Sequence, residues 1–424
     1  MIIERTGLFP PLASETRKSL DSISLLIDKA LPMPARFRAA LPRDIAALSR
    51  LLTAERPERD ASYLSRPAFL SAYMRYFLPW NIYRLCRLFT SLPIELKPGD
   101  AVNDLGSGPL TLAIALWISR PHLRNIPLEF RCLDRTAAVL DAGKKLYAAL
   151  AADSSPWTIK TIRGELRTGG SLTFGSLTSA SRTRGALSVE INGKPAALTA
   201  AINVYNELFW NFSPTDIPGL KRFAINHARL LSSLTGSSGS VLVMEPGIPR
   251  SGQFISLLRS SLMEEGRFPV SPCPHSGPCP MPGTKSGGCK KDRWCHFAFD
   301  TKDAPKELHR LSAAARLPKE RAVLSFLFAG AKSRQDSEAT RVISDCFPLE
   351  GQTSKGQTFK SQAWGRYGCS RRGLVLVKGS RKSLEASPSG ALEELPLTNG
   401  VTTADRWSDG SWDTKSGALI AEKP

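Results

Sequence analysis

The stretch AVNDLGSGPLTLAIALWI, residues 101–118, decides the fold. Ala101 to Asp104 read as the end of a strand, Gly106-Ser107-Gly108 as a turn, and LTLAIALWI as an apolar helix. Glycines at such a turn let a ligand approach the backbone, and Pro109 suits a first helical turn. The amides at a helix start favour negatively charged ligand groups. A second strand, LEFRCLD, ends in Asp134, and TAAVLDAGKKLYAALAA after it reads as an amphipathic helix. An acidic residue ending the second strand is where nucleotide-binding α/β folds hold ribose hydroxyls.

Outward from this unit, strands and helices continue to alternate. Residues 158–200 hold short alternating runs (SLTFGSLT, ALSVEING), and Ile191-Asn192-Gly193-Lys194 reads as a hairpin turn. A strand over AAINVYNELFW, 200–210, carries Asn206 and Glu207 at its carboxyl end, the substrate edge of such a sheet. A helix over 216–233 and a buried strand from Ser240 to Met244 follow. Glu245 after that strand has two readings, facing a ligand or capping the next helix. The alternation from about 100 to 268 predicts an α/β, doubly wound, mostly parallel sheet.

The dinucleotide pattern G-x-G-x-x-G fails, because Thr111 stands third after Gly108. The shorter class I methyltransferase pattern, acidic-x-G-x-G-x-G, is met by Asp104, Gly106 and Gly108, with Leu110 replacing the last glycine. S-adenosylmethionine is therefore a better ligand than NAD. Asp104, Gly106, Ser107 and Gly108 would line it, with Asp134 on its ribose. No Asn-Pro-Pro-Tyr sequence, the mark of amino-nitrogen methyltransferases, occurs.

The chain has 424 residues, with 57 basic against 38 acidic ones, a net charge of +19. Such an excess favours an extended polyanion, in a cytosolic protein usually nucleic acid. Residues 15–95 read as helical; in SAYMRYFLPWNIYRLCRLFTSL the tyrosines read as core, and Arg75, Arg84 and Arg87 as a solvated face. Cys86 there reads as a buried thiol. No apolar run is long enough for a membrane span, and the first twenty residues resemble neither a secretory signal nor a mitochondrial presequence. A reducing cytoplasm is the expectation, and there closely spaced thiols read as metal ligands.

Such thiols occur in SPCPHSGPCPMPGTKSGGCKKDRWCHF, 271–297, with Cys273, Cys279, Cys289 and Cys295. Spacing alone leaves structural zinc and an iron–sulfur cluster level. From Gly351 to Leu384 there are eight basic residues and no acidic one. Lys355, Lys360, Arg366, Arg371, Arg372 and Lys378, interleaved with Phe359, Trp364 and Tyr367, predict an RNA-binding β-unit. Residues 383–424, rich in Ser and Gly, read as a flexible tail.

Taken together, LGSGPLTLA, NEL, EPG-PR-G and CPH–CP–WCHF resemble the methyltransferase-like assembly factors of the small ribosomal subunit, found in bacteria and mitochondria. The likeness runs over roughly residues 70–378. It implies a class I methyltransferase-like fold with a [4Fe-4S] cluster, and association with the small subunit or its precursor and its rRNA. The implied ligands are Cys273, Cys279, Cys295 and a fourth cysteine, for which Cys369 in WGRYGCSRRGLVLV is the choice. Cys289 departs from the pattern, Cys346 is a lesser candidate, and His275 and His296 would hydrogen-bond to ligands. The expected units are a helical region (1–95), the methyltransferase-like domain (96–268), a cluster and basic β region (269–382) and the tail. Two activities stay open: S-adenosylmethionine-dependent rRNA methyl transfer, or RNA binding without turnover, braced by the cluster or by zinc.

Overall fold

A computed structural model describes residues 7–53, 63–152, 155–167, 172–174, 193–209, 212–213, 215–283, 293–333, 337–352, 358–395, 412–413 and 416–423. Its first sheet is built from β1 (Asp100–Leu105), β2 (Leu128–Asp134), β3 (Thr158–Leu166), β4 (Leu172–Phe174), β5 (Ala196–Ile202), β6 (Thr235–Pro246), β7 (Phe268–Ser271), β8 (Phe297–Asp300) and β9 (Arg321–Gly330). The spatial order is β4-β3-β2-β1-β5-β6-β9-β7, with β8 also paired to β9. β1 runs parallel to both β2 and β5, so the order reverses between β1 and β5. β9 enters antiparallel between β6 and β7. A doubly wound sheet with one late antiparallel strand next to its edge is the class I methyltransferase fold. The sheet thus takes three strands from beyond residue 268, where the sequence suggested a domain boundary.

Alternation along the strands explains the two cores. Leu242 and Met244 join Val102, Phe130 and Phe326 in one, with the helices Leu78–Phe89 and Thr111–Ser119. Val241 and Val243 join Leu105, Leu133 and Leu327 in the other, with Ile217–Leu234 and Pro249–Glu264. Successive side chains leave opposite faces of a strand, so a strand apolar at every position packs on both sides.

The N-terminal region is helical as expected, but its arginines are not a solvated face. Arg87 is buried, pairs with Asp303 at 2.6 Å and donates to the carbonyl of Phe9 at 2.6 Å. Arg75 is buried against Asp28 at 3.0 Å, and Arg84 donates to Asn81 at 2.8 Å. A buried cation needs a partner, and both carboxylates come from distant parts of the chain, out of reach of local periodicity. Cys86 is buried, as expected.

The strand expected over 200–210 stops at Ile202. Asn203 takes a left-handed conformation (φ +57°), and Tyr205–Leu208 is a short helix. Of the expected hairpin turn, 191 and 192 lie outside the described residues; β3 pairs antiparallel with β4.

A second sheet holds β10 (Thr340–Val342), β11 (Phe347–Gln352), β12 (Thr358–Ser370), β13 (Gly373–Gly379), β14 (Leu392–Glu393), β15 (Trp412–Asp413) and β16 (Ala418–Glu422). Its order is β14-β10-β12-β13-β16-β15, with β11 on β12. This corrects the flexible tail for the part described: β16 lies parallel to β13, with Ala418, Leu419 and Ala421 buried. Its apolar run is too short to announce a period in sequence. Among the described residues no helix is long and apolar enough to cross a membrane.

Leu419→Ala should lower the unfolding free energy by about 2–5 kcal/mol, as for a core leucine. A residue in a loose tail would change it by no more than about 0.5 kcal/mol. Urea unfolding followed by circular dichroism separates the two.

Candidate functional site

The glycine turn is held by shape. Gly106 has φ +67°, and a Cβ there would lie 2.4 Å from Val204 Cγ2, so only glycine fits. Gly108 has φ +54°, and a Cβ there would meet Thr111 Oγ1 at 3.9 Å, an ordinary contact. Leu110, where the methyltransferase pattern has its last glycine, keeps the left-handed backbone (φ +59°) with its side chain buried. The turn amides are already engaged: Ser107 N donates to Leu133 O at 2.8 Å, and Gly108 N to Asp134 Oδ2 at 2.9 Å. Asp134 Oδ1 accepts from Thr136 N at 2.8 Å. Burial, above all, raises the Asp134 pKa, against these two bonds.

A pocket opens here at the carboxyl ends of the parallel strands, lined by Gly106, Ser107, Gly108 and Asp134 among others. Asp104 is not in its wall. It lies beneath the turn, 1 % exposed, and burial pushes its pKa up to about 7. The opposite wall was not foreseen: Tyr63, Tyr73 and Asn81 come from the N-terminal region. Tyr73 begins a π-helical turn, Tyr73–Phe77, a feature that gathers at functional sites. Burial, then the charges of Glu207 and Asp134, push the Tyr73 phenol far up. The tyrosines were visible as a dense run, but nothing in their spacing says which of them reaches a pocket.

Of the two expected substrate-edge residues, the structure brings only Glu207 to the pocket, where Tyr63 OH donates to it at 3.3 Å and Arg135 pairs with it at 3.4 Å. Asn206 is buried and turned away, its amide donating to Glu245 Oε2 at 2.8 Å. Glu245 neither faces the pocket nor caps the helix after it. Its carboxylate accepts the amides of Val204, Tyr205 and Asn206 at 3.0, 2.8 and 3.0 Å, capping the short helix before it. Burial outweighs these bonds and lifts its pKa to about 7.

Three closely spaced cysteines and a fourth, distant in sequence, meet elsewhere. Cys273, Cys279, Cys295 and Cys369 line one cavity with Arg259, Arg341 and the rings of Phe297 and Phe326. Arg259 Nε lies 3.3 Å from Cys273 Sγ, and His275 Nε2 lies 3.3 Å from Cys369 Sγ. Burial pushes the Cys295 and Cys369 thiols well up, and the neighbouring cysteines add to it. Four thiolates here require a positive charge among them. Among the described residues no group of three or more His, Cys, Asp or Glu is arranged to hold a metal ion. The donor set, four sulfurs in an apolar shell beside two arginines, is nonetheless of the kind that iron–sulfur clusters and structural zinc use. His296 hydrogen-bonds to Trp294 O and stacks on the Trp294 ring. Cys289 lies outside the described residues, and Cys346 is not in the cavity wall.

The basic residues expected to meet RNA divide. Lys355 and the side chain of Lys360 lie outside the described residues. Arg366 is a correction: it is 4 % exposed and donates to the carbonyls of Ser344 and Leu384, both at 2.7 Å, and of Ser387. It faces inward from β12 and satisfies the backbone of the segment Leu384–Ser387, a role that composition cannot reveal. Arg371 and Arg372 are exposed where β12 turns into β13, each 3.6 Å from Glu338. Lys378 is half-buried. Arg381 lies over the Trp364 ring at 4.8 Å.

Against this geometry stand the relatives. Residues 224–354 match the family described as mitochondrial small ribosomal subunit Rsm22, a stretch holding Cys273, Cys279 and Cys295. That description is mitochondrial, whereas the opening residues led to a cytoplasmic expectation. No protein of curated function matches the chain. Among solved structures, a complex of the Haloferax volcanii Trm112 methyltransferase activator with a methyltransferase aligns at 11% identity, covering 64% of this chain and 98% of that one, with TM-score 0.31. A class I S-adenosylmethionine-dependent methyltransferase from Listeria monocytogenes aligns at 10% identity over 76% of this chain and 88% of that one, with TM-score 0.30. Geranyl diphosphate C-methyltransferase from Streptomyces coelicolor aligns at 10% identity over 71% and 100%, with TM-score 0.30.

Gly106→Ala should destabilise by about 2–4 kcal/mol, from left-handed strain and overlap with Val204. Adding Val204→Ala should relieve the overlap and leave the strain. A double-mutant cycle in urea then gives a favourable coupling between the two positions; additive effects would remove Val204 as the obstacle.

Proposed function

We propose that this chain is a methyltransferase-fold protein of small ribosomal subunit biogenesis that binds S-adenosylmethionine in the glycine-turn pocket and rRNA on its basic face. The observation that carries the reading is the pocket: a left-handed glycine turn after β1, with Asp134 at the end of β2, on the sheet where the strand order reverses. The family match over residues 224–354 supports the ribosomal partner.

The bound donor would supply an electrophilic methyl group on a sulfonium. Gly106 and Gly108 leave the backbone approachable, and Asp134, with each oxygen already fixed by one amide, keeps lone pairs for ribose hydroxyls. Glu207, paired with Arg135, and the Tyr73 phenol give the pocket a polar wall. Transfer to a nucleophile placed there needs chiefly positioning.

Cys273, Cys279, Cys295 and Cys369 hold a metal centre in this reading, and a four-iron cluster is favoured over zinc by the resemblance in the cysteine signature. Its role is to fasten the segment 271–297 to β12. Arg371 and Arg372, where β12 turns into β13, and Lys378 near the far end of β13 are the basic residues proposed to meet a phosphate backbone.

Binding without transfer is the second reading. It is favoured by Asn206, the expected substrate-edge amide, being fixed on Glu245.

Labelled S-adenosylmethionine and small-subunit precursors from cells lacking the protein decide between them, using anaerobically purified chain and Gly106→Arg as control. Label in rRNA with wild type and none with the control is the expected result for the enzyme. Precursor binding without label leaves the assembly factor. Cys279→Ser should lose most bound iron and visible absorption, measured by metal analysis. Full iron retention by that variant would remove Cys279 from the ligand set.

A further inference from the structure

The cysteine cavity, walled in part by Phe326 and Leu327 of β9, and the glycine-turn pocket, walled in part by Val204, are connected through the pair β6 and β9. Glu245 of β6 and Ser325 of β9 are direct partners in the antiparallel register, and both are fully buried. Residues opposite one another in such a pair project from the same face. Ser325 Oγ donates to the main-chain carbonyl of Cys295 at 2.8 Å. Glu245 holds the amides of Val204, Tyr205 and Asn206, and Val204 is the residue whose methyl group fills the space beside Gly106.

A second strut runs alongside. Trp294, next to Cys295, donates from its indole to the carbonyl of Gly247 at 3.1 Å. It lies so close to the helix Pro249–Glu264 that a Cβ on Gly252 would fall 2.6 Å from Trp294 Cβ. Gly247 is two residues from Glu245. A movement of Cys295 is therefore resisted at Ser325 of β9 and at Gly247, just past the end of β6, the strand whose carboxylate fixes the pocket wall at 204–206. Contacts this short transmit displacement, because a packed interior has little free volume to absorb it.

We propose that Ser325 and Glu245 are positioning residues that couple metal occupancy of the cysteine site to the shape of the donor pocket, so that the chain binds its methyl donor tightly only when the four cysteines are loaded. The proposal rests on both sites being what the preceding reading makes them. By linkage the effect is reciprocal: donor bound in the pocket slows loss of the metal. The chain would then engage its donor only under conditions that supply the metal centre.

The test uses the full chain, loaded anaerobically with iron and sulfide, and S-adenosylhomocysteine as the probe in calorimetric titration. Metal-free wild type should bind the probe at least about fivefold more weakly than loaded wild type. Metal-free protein can lose affinity simply by unfolding, so the decisive variant is Ser325→Ala, studied loaded. At iron content equal to wild type it should bind the probe at least about fivefold more weakly, and Ser325→Thr, which keeps the hydroxyl, should restore affinity. Ser387→Ala, a buried serine whose hydroxyl accepts from Lys423 beside the second sheet, should leave probe affinity unchanged. Loaded Ser325→Ala that binds the probe as wild type does would overturn the coupling while leaving both sites standing. Probe binding to neither form of wild type would remove the donor-pocket reading, and absence of bound iron in wild type the metal-site reading; either takes the coupling with it.

Discussion

Glu245 is the constraint on which the pocket depends. A carboxylate buried at the centre of a sheet must find donors or give up its charge, and here three consecutive backbone amides and the Asn206 side chain supply them. Those amides belong to a turn that a left-handed Asn203 has just broken away from β5. The bonds only partly offset burial, which lifts its pKa to about 7. Fixing this turn brings Val204 against Gly106 and Glu207 into the pocket. The same carboxylate that shapes the wall also removes Asn206 from it.

Buried cations follow the same rule elsewhere. Arg87, held between Asp303 and the carbonyl of Phe9, ties the N-terminal stretch to the loop after β8. Tyr83 OH reaches the same Asp303 at 2.5 Å. Arg366 closes the second sheet onto Leu384 and Ser387. A net charge of +19 suggests arginines set aside for a polyanion, yet several of them are structural. The basic surface free of such structural roles is accordingly smaller than the composition implies, and part of it is shared with Glu338.

The cysteine cavity joins the two sheets. Cys273 and Cys279 follow β7, Cys295 precedes β8, and Cys369 sits near the end of β12, paired with Arg341 of β10. Arg341 also donates to the carbonyl of Pro272 at 2.9 Å, and its neighbour in the cavity wall, Arg259, holds the carbonyls of His275 and Gly277 at 2.9 and 2.8 Å. Much of the sulfur environment is therefore set by arginine–backbone bonds. A metal centre would meet thiols already gathered by these bonds.

Local signals carried the parts that local physics decides. The order strand, glycine turn, helix, acidic strand end was legible in residues 101–134 because each step depends on near neighbours: a left-handed turn needs glycine, and a strand buried on both faces needs an unbroken apolar run. The four cysteines of the cavity were legible through a resemblance, since spacing alone grouped Cys273, Cys279 and Cys295 with Cys289 and left out Cys369. What tertiary structure decided was every question of direction. Asp104 went under the turn, Asn206 to Glu245, Arg366 into the second sheet, and ALIAE into a strand, since each was settled by a partner far away in sequence. Tyr63, Tyr73 and Asn81 became pocket wall for the same reason. A sequence records which groups must be satisfied once buried, but only the packed chain determines which distant partner satisfies them.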